Sequence, residues 1–175
     1  MKALDLAQIA LFSVVIVICS WICIPTMIPF TLQTFGVFLA VAVLGGKRGS
    51  LAVLIYLLLG AVGLPVFSGF TGGIGVLLGN TGGYLVGFLF AALTVWLLEC
   101  FPCPKKWLLP LAMVLGLLVC YATGTLWFLA VYGRSTGDIG LLTVLSWCVF
   151  PYIIPDLMKI GLALTLRKRL AVIIK

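Results

Sequence analysis

The sequence predicts an all-α protein: a six-helix transmembrane bundle that forms one integral membrane domain over residues 1–175, with both termini cytoplasmic. Three observations predict it. The chain is 64% hydrophobic and 9% charged, with mean hydropathy +1.35, whereas a soluble domain is about a quarter charged. The 11 basic and 4 acidic residues bound long uncharged runs: Leu6–Gly46, Gly49–Leu98, Trp107–Gly133 and Ile139–Pro155. Finally, six spans gather Lys2, Lys47, Arg48, Lys105, Lys106, Arg167, Lys168, Arg169 and Lys175 on one side, leaving Arg134, beside Asp138, on the other. By the positive-inside rule the crowded side is the cytoplasm. Soluble enzymes, disulfide scaffolds and nucleic-acid binders are excluded. The net charge of +7 describes orientation rather than affinity for nucleic acid, and the runs lack the alternation of a membrane β-barrel.

The elements follow in order. A first span over 5–24 reads as a retained helix, because Asp5 interrupts a signal-like basic start and no small-x-small cleavage site follows. Pro25 and Pro29 break the first run and start a second span over 32–46. The turn Gly45-Gly46-Lys47-Arg48-Gly49 leads to a third over 50–64; both spans are short, as a tilted or thinly solvated helix is. Residues 60–87 hold ten of the twenty glycines, and 65–80 is expected to be a flexible lid on the outer face, with Phe67 and Phe70 among glycines. The fourth span is 82–99, where Gly79, Gly83 and Gly87 repeat every four residues, the spacing of close helix contacts in membranes. The fifth is 107–131 and the sixth 139–166, with Pro151 and Pro155 near its middle, where proline removes a backbone donor and is expected to kink the helix.

Cysteine chemistry is expected to be bland. Cys100-Phe-Pro-Cys103 has redox or zinc spacing, but the chain contains no histidine and the pair falls in a cytoplasmic loop, so no metal site is expected. Cys19 and Cys23 are placed four apart on one helix face, and Cys120 and Cys148 are isolated; all read as small apolar side chains. No G-x-x-x-x-G-K-[ST] occurs, so the chain cannot use ATP by itself.

Polar groups at membrane depth carry the functional signal. Counted back from Arg167, Asp156 and Lys159 lie roughly 12–17 Å into the bilayer and share a helix face three residues apart. Each costs about 2.5–3.5 kcal/mol at the centre of a span, so such residues mark a pathway or a ligand; the bland alternative is an ion pair that locks two helices. Asn80, Thr81 and Tyr84 bring donors, acceptors and an aromatic wall to the head of the fourth span. Gln33 offers a donor and an acceptor at the start of the second, where Thr31 and Thr34 are helix-capping candidates.

Pro29-Phe-Thr-Leu-Gln33, the stretch Tyr56-Leu-Leu-Leu-Gly-Ala-Val-Gly-Leu-Pro-Val-Phe67, Thr81-Gly-Gly-Tyr84 and Pro155-Asp-Leu-Met-Lys159 together resemble, in order and along most of the chain, the BioY family. These are the biotin-specific S components of energy-coupling factor (ECF) transporters. The resemblance implies a plasma-membrane subunit, not an enzyme, with no cofactor, that captures biotin from outside. Uptake then needs an ECF transmembrane coupling protein and two cytoplasmic ATPases. It implies Asn80, Asp156 and Lys159 as polar ligand contacts, with Tyr84 and the 65–80 loop enclosing the ligand; many members carry proline where Asn80 stands. Asp156 can accept ureido N–H bonds, while Lys159 or Asn80 can donate to the ureido carbonyl or to the valerate carboxylate. The docking face for the coupling protein, in this family a small-residue stripe on the first helix, is approximated by Ala3, Ala7 and Ala10. Two other classes stay open: a solitary proton-coupled carrier using Asp156, and a membrane-embedded enzyme, which the absence of histidine disfavours.

Overall fold

The structure, a computed structural model, describes residues 2–24, 29–101, 105–136 and 140–170. Pro25, Cys103, Asp138 and Lys175 lie outside the described residues, as do the side chains of Lys105, Lys106 and Arg134. Helix α1 spans Ala3–Trp21, and a two-residue antiparallel pair, β1 (Cys23–Ile24) with β2 (Phe30–Thr31), brings the chain back to α2 (Gln33–Leu44). Then come α3 (Gly46–Ala61), α4 (Ile74–Leu78), α5 (Gly82–Glu99), α6 (Lys105–Thr136), α7 (Leu141–Cys148) and α8 (Phe150–Leu170). Among the described residues three helices are long and apolar enough to cross a membrane, or four if α7 and α8, bent by 41°, make one span. Most of their outward positions are large apolar side chains, as lipid requires and water does not.

Helix α2 is the axis of the bundle. Ten of its twelve residues are buried, and α1, α3, α5 and α8 pack around it. At 1.5 Å per residue it is about 18 Å long, and α3 about 24 Å, against a hydrocarbon core of ~30 Å. A central helix this short ends partway through the bundle. The space beyond its first turn must be filled by other elements or left open.

Glycines set the closest approach of α5 and α6. A Cβ on Gly83 would lie 2.1 Å from Trp127 Cβ, and one on Gly124 2.2 Å from the Tyr84 ring, so both positions tolerate hydrogen alone. This is the contact the four-residue spacing of Gly83 and Gly87 predicts; Gly79 instead lies in the link before α5, where its carbonyl accepts a bond from Trp127 Nε1 (3.0 Å). Polar groups, buried in the case of Ser13, tie the other helices. Ser13 Oγ donates to Ala52 O (3.0 Å) across α1 and α3. Glu99 Oε2 accepts the Gly46 N–H (2.6 Å), capping α3 from the end of α5, and Arg48 pairs with Asp5 (2.7 Å).

Three expectations are corrected. Cys23 is not on the Cys19 helix face, because α1 ends at Trp21 and Cys23 belongs to β1. The 65–80 segment is not a plain flexible loop: a 3₁₀ turn at Ser68–Phe70 and helix α4 organise it. Trp21 Nε1 donates to Pro65 O (2.9 Å) and the Trp21 ring stacks on Phe70 at 5.0 Å. The bend within 139–166 falls at Val149 (φ −124°, ψ −57°), between α7 and α8, rather than at the prolines. Pro151 sits in the first turn of α8, where a missing N–H costs nothing. Pro155 is accommodated inside the helix, without the bond its N–H would have made.

Candidate functional site

The open end of α2 is where the polar residues converge. A cavity there, with about 720 Å³ of empty space counting its open side, is walled by the first turns of α2 and α5, the middle of α6 and the first half of α8. Phe88, Leu85, Leu117, Cys120 and Val76 give it an apolar lining. The charged groups on its wall among the described residues are Asp156 and Lys159, 3% and 7% exposed.

Helix α8 places that pair. Asp156, Lys159, Ile160 and Ala163 form its inward face, while Ile154, Leu157, Met158 and Leu162 face outward. Lys159 Nζ donates to Asp156 Oδ1 (2.8 Å) and to the Thr31 carbonyl (2.7 Å), and lies 4.4 Å from the centroid of the Phe30 ring. Tyr121 O–H donates to Asp156 Oδ2 (2.6 Å). Two charges that would each be costly alone are thus compensated by each other, by an oriented carbonyl, by a phenol and by a ring face. Hydrogen-bonding capacity remains. An ammonium has three donors and two are used; a carboxylate has about four acceptor positions and two are used. The pair therefore offers a donor and an acceptor side by side.

The structure brings Gln33, Phe67, Thr81, Tyr84, Asp156 and Lys159 to this one cavity. Phe67 is 1% exposed and meets the Tyr56 ring edge-on at 5.5 Å. Tyr84 O–H is 3.3 Å from Thr125 Oγ1, which fixes the phenol at the α5–α6 contact. Asn80 and Phe70 do not join them. Asn80 is exposed in the α4–α5 link and outside the lining. Phe70 is 63% exposed, packed on Trp21 at the outside of the lid segment. Thr31 Oγ1 accepts the Gln33 N–H (3.2 Å) from one residue ahead of the cap position. Thr34 makes no cap, since the residue before α2 is Leu32 and no side chain caps it; Thr34 lines the cavity instead. Ala3, Ala7 and Ala10 are exposed on α1 along the face of Val14, away from the cavity.

Sequence reading missed Tyr121, Phe30 and the Thr31 carbonyl. A tyrosine in the middle of an apolar run is the signal available for Tyr121, since aromatic belts sit at the interfaces. No side-chain pattern announces a backbone carbonyl.

Fold and site together define a class: a multi-pass α-helical membrane protein with a small-molecule cavity held between its helices and closed on one side by an ordered lid segment. The chain belongs to the BioY family, whose family model matches residues 1–175. It is 49% identical over 121 residues to the biotin transporter BioY of Thermotoga maritima, covering 69% of this chain and 71% of that protein. It is 39% identical over 171 residues to the probable biotin transporter BioY of Pyrococcus horikoshii, covering 97% and 98%. Among solved structures it resembles the S-component for biotin from an ECF-type ABC transporter, with TM-score 0.81 and 28% identity over 98% of this chain and 94% of that one. These relatives are transporters, not enzymes.

Proposed function

We propose that this chain is the substrate-capturing subunit of a biotin uptake system in the plasma membrane: one domain of six spans, with both termini cytoplasmic. The carrying observation is the Asp156–Lys159 pair, satisfied yet with one donor and further acceptors to spare, on the wall of an otherwise apolar cavity. Biotin's ureido ring presents N–H donors beside a carbonyl acceptor, which complements that arrangement. Asp156 accepts a ureido N–H and Lys159 donates to the ureido carbonyl; charge assistance makes such bonds about twice as strong as neutral ones. The thioether ring rests on Phe67, Tyr84 and Phe88, and the valerate runs toward Ser68 and Thr81 at the lid. Asn80, exposed beside the lid, meets the carboxylate only if the lid closes further. Six spans and cytoplasmic ends are supported by the one-sided basic residues, with α2 and α3 as short spans and α7–α8 as one bent span. Transport inward depends on an ECF coupling protein and two ATPases, and the exposed stripe Ala3, Ala7 and Ala10 is the docking face.

The test is a calorimetric titration of the purified protein with biotin, thiamine and riboflavin, with Asp156→Asn run beside it. Selective binding of biotin, weakened about 10- to 100-fold in the variant, is expected from the ~1.5–3 kcal/mol of a hydrogen bond to a charged group. A folded wild-type protein that binds no biotin refutes the proposal.

A further inference from the structure

The Arg48–Asp5 ion pair (2.7 Å) fixes a level from which the height of the lid segment can be measured. It joins the first turns of α1 and α3, and charged groups of this kind belong at the edge of the hydrocarbon or outside it. From Arg48, α3 rises about 20 Å to its end at Ala61, and from Asp5, α1 rises about 24 Å to Trp21. The hydrocarbon core is ~30 Å thick. Tilting either helix, or moving the ion pair further out, leaves those two ends deeper still. The lid segment starts at Val62 and is pinned at the same height. Trp21 Nε1 donates to Pro65 O (2.9 Å) and the Trp21 ring stacks on Phe70. The Gly73 N–H donates to Gly60 O (2.7 Å), which sets the start of α4 beside the end of α3.

The composition of the segment fits that depth. Residues 62–80 contain no charged side chain, and Val62, Leu64, Phe70, Ile74 and Leu78 are between 46% and 84% exposed. Helix α4 is apolar on both sides. Val76 and Leu77 pack inward on the core, whereas Ile74 and Leu78, four residues apart, form the outward face. A helix with water on its outer side carries polar residues there. The exposed row Leu54, Leu58 and Val62 also runs up α3 at four-residue spacing, so its lipid-facing wall continues into the lid without a polar break. Backbone groups of the segment are paired: the Phe67 N–H with Thr71 O (2.9 Å), Ser68 O with Thr71 Oγ1 (2.9 Å), Val66 O with Ser20 Oγ and Gly79 O with Trp127 Nε1. Its inner side, through Phe67, Ser68 and Val76, lines the cavity, the setting in which non-helical backbone occurs at membrane depth.

We propose that the outward face of the lid segment is a membrane-docking surface. Val62, Leu64, Phe70, Ile74 and Leu78 lie at the boundary of headgroups and acyl chains in the leaflet opposite Arg48, about 5–10 Å deep, as the apolar face of an interfacial helix does. The partner is the bilayer itself. Lipid rather than water covers the lid, and any motion of the lid over the cavity displaces acyl chains. This goes beyond biotin capture and does not depend on which ligand the cavity takes.

The experiment introduces p-acetylphenylalanine in turn at Val62, Ile74 and Leu78 and couples it to a ketone-reactive nitroxide, leaving the cysteines untouched. The full chain is reconstituted without ligand in phosphatidylcholine nanodiscs, and a thermal melt of each labelled protein establishes that it is folded. Power-saturation EPR then compares collisions with oxygen, which concentrates in lipid, and with a neutral nickel chelate, which stays in water. Leu58, 55% exposed on α3, is the lipid reference, and the exposed Lys168 is the aqueous one. The oxygen-to-nickel ratio at each lid position is expected several-fold above that at Lys168 and close to that at Leu58. A ratio at the Lys168 level, as a bilayer thinned down to the lid would give, overturns the proposal. Low collision rates with both reagents also overturn it, because a second copy or the chain itself then covers the patch. A wild-type protein that binds no biotin refutes the function proposed above and leaves this measurement unaffected.

Discussion

Gly60 is where the cavity can be reshaped without touching any polar group. A Cβ there would lie 2.0 Å from Phe67 Cζ and 2.5 Å from two neighbouring ring carbons. The ring cannot give way outward, because it is 1% exposed and its other side meets Tyr56. Gly60→Ala must therefore drive Phe67 toward the cavity it lines. Overpacking of this kind costs about 1–3 kcal/mol. If the displacement appears chiefly as lost ligand space, biotin binding weakens roughly 5- to 100-fold at tenfold per 1.4 kcal/mol. The assay is a calorimetric titration of Gly60→Ala beside a thermal melt of the ligand-free protein, which separates lost binding from lost fold. Gly60→Ala combined with Phe67→Leu should recover most of the affinity, since the shorter side chain vacates the disputed volume. An unchanged Kd in Gly60→Ala, or a double variant no better than the single, would refute the packing argument.

Other perturbations address separate parts of the molecule. Tyr121→Phe removes the 2.6 Å bond to Asp156 and should lower biotin affinity by a factor of about ten or more; equal affinity in the titration would mean that the phenol is incidental. Ala7→Trp, on the exposed stripe of α1, should leave biotin binding intact and abolish uptake into cells carrying the partner module; a parallel fall in binding would disprove a docking role. Gly83→Val sets a side chain where Trp127 Cβ leaves 2.1 Å, so α5 and α6 must separate. The melting temperature in detergent should drop by several degrees for ~1–3 kcal/mol of overpacking, and an unshifted melt would contradict the contact.

Much of the fold was readable because a bilayer leaves few options. Charges cannot sit in hydrocarbon without cause, so the uncharged runs bounded the helices. The expected 82–99 coincides with α5, and 32–46 and 107–131 differ from α2 and α6 by a few residues at the ends. The kink in the sixth element was misplaced because proline looks like the cause of any nearby break, whereas the chain bends at Val149 and both prolines sit within α8. At the cavity, Asp156, Lys159 and Gln33 were legible for the same reason as the helices: polar groups at membrane depth are expensive. Asn80 was grouped with them by the family resemblance and Phe70 as part of the enclosing loop, and neither reading sees how a short helix turns the chain. The α4–α5 link points Asn80 outward, and the 3₁₀ turn carries Phe70 to Trp21.

The attachment of the lid segment to the last turn of α1, through Ser20 to Val66 and Trp21 to Pro65, has a mechanical consequence. Nineteen helical residues make a rod about 28 Å long, with Ala3, Ala7 and Ala10 toward one end and the lid anchors at the other. A 10° swing about the alanine end displaces the anchors by ~5 Å, the width of an aromatic ring. Leverage of that size turns a modest tilt of one helix into a doorway over the cavity.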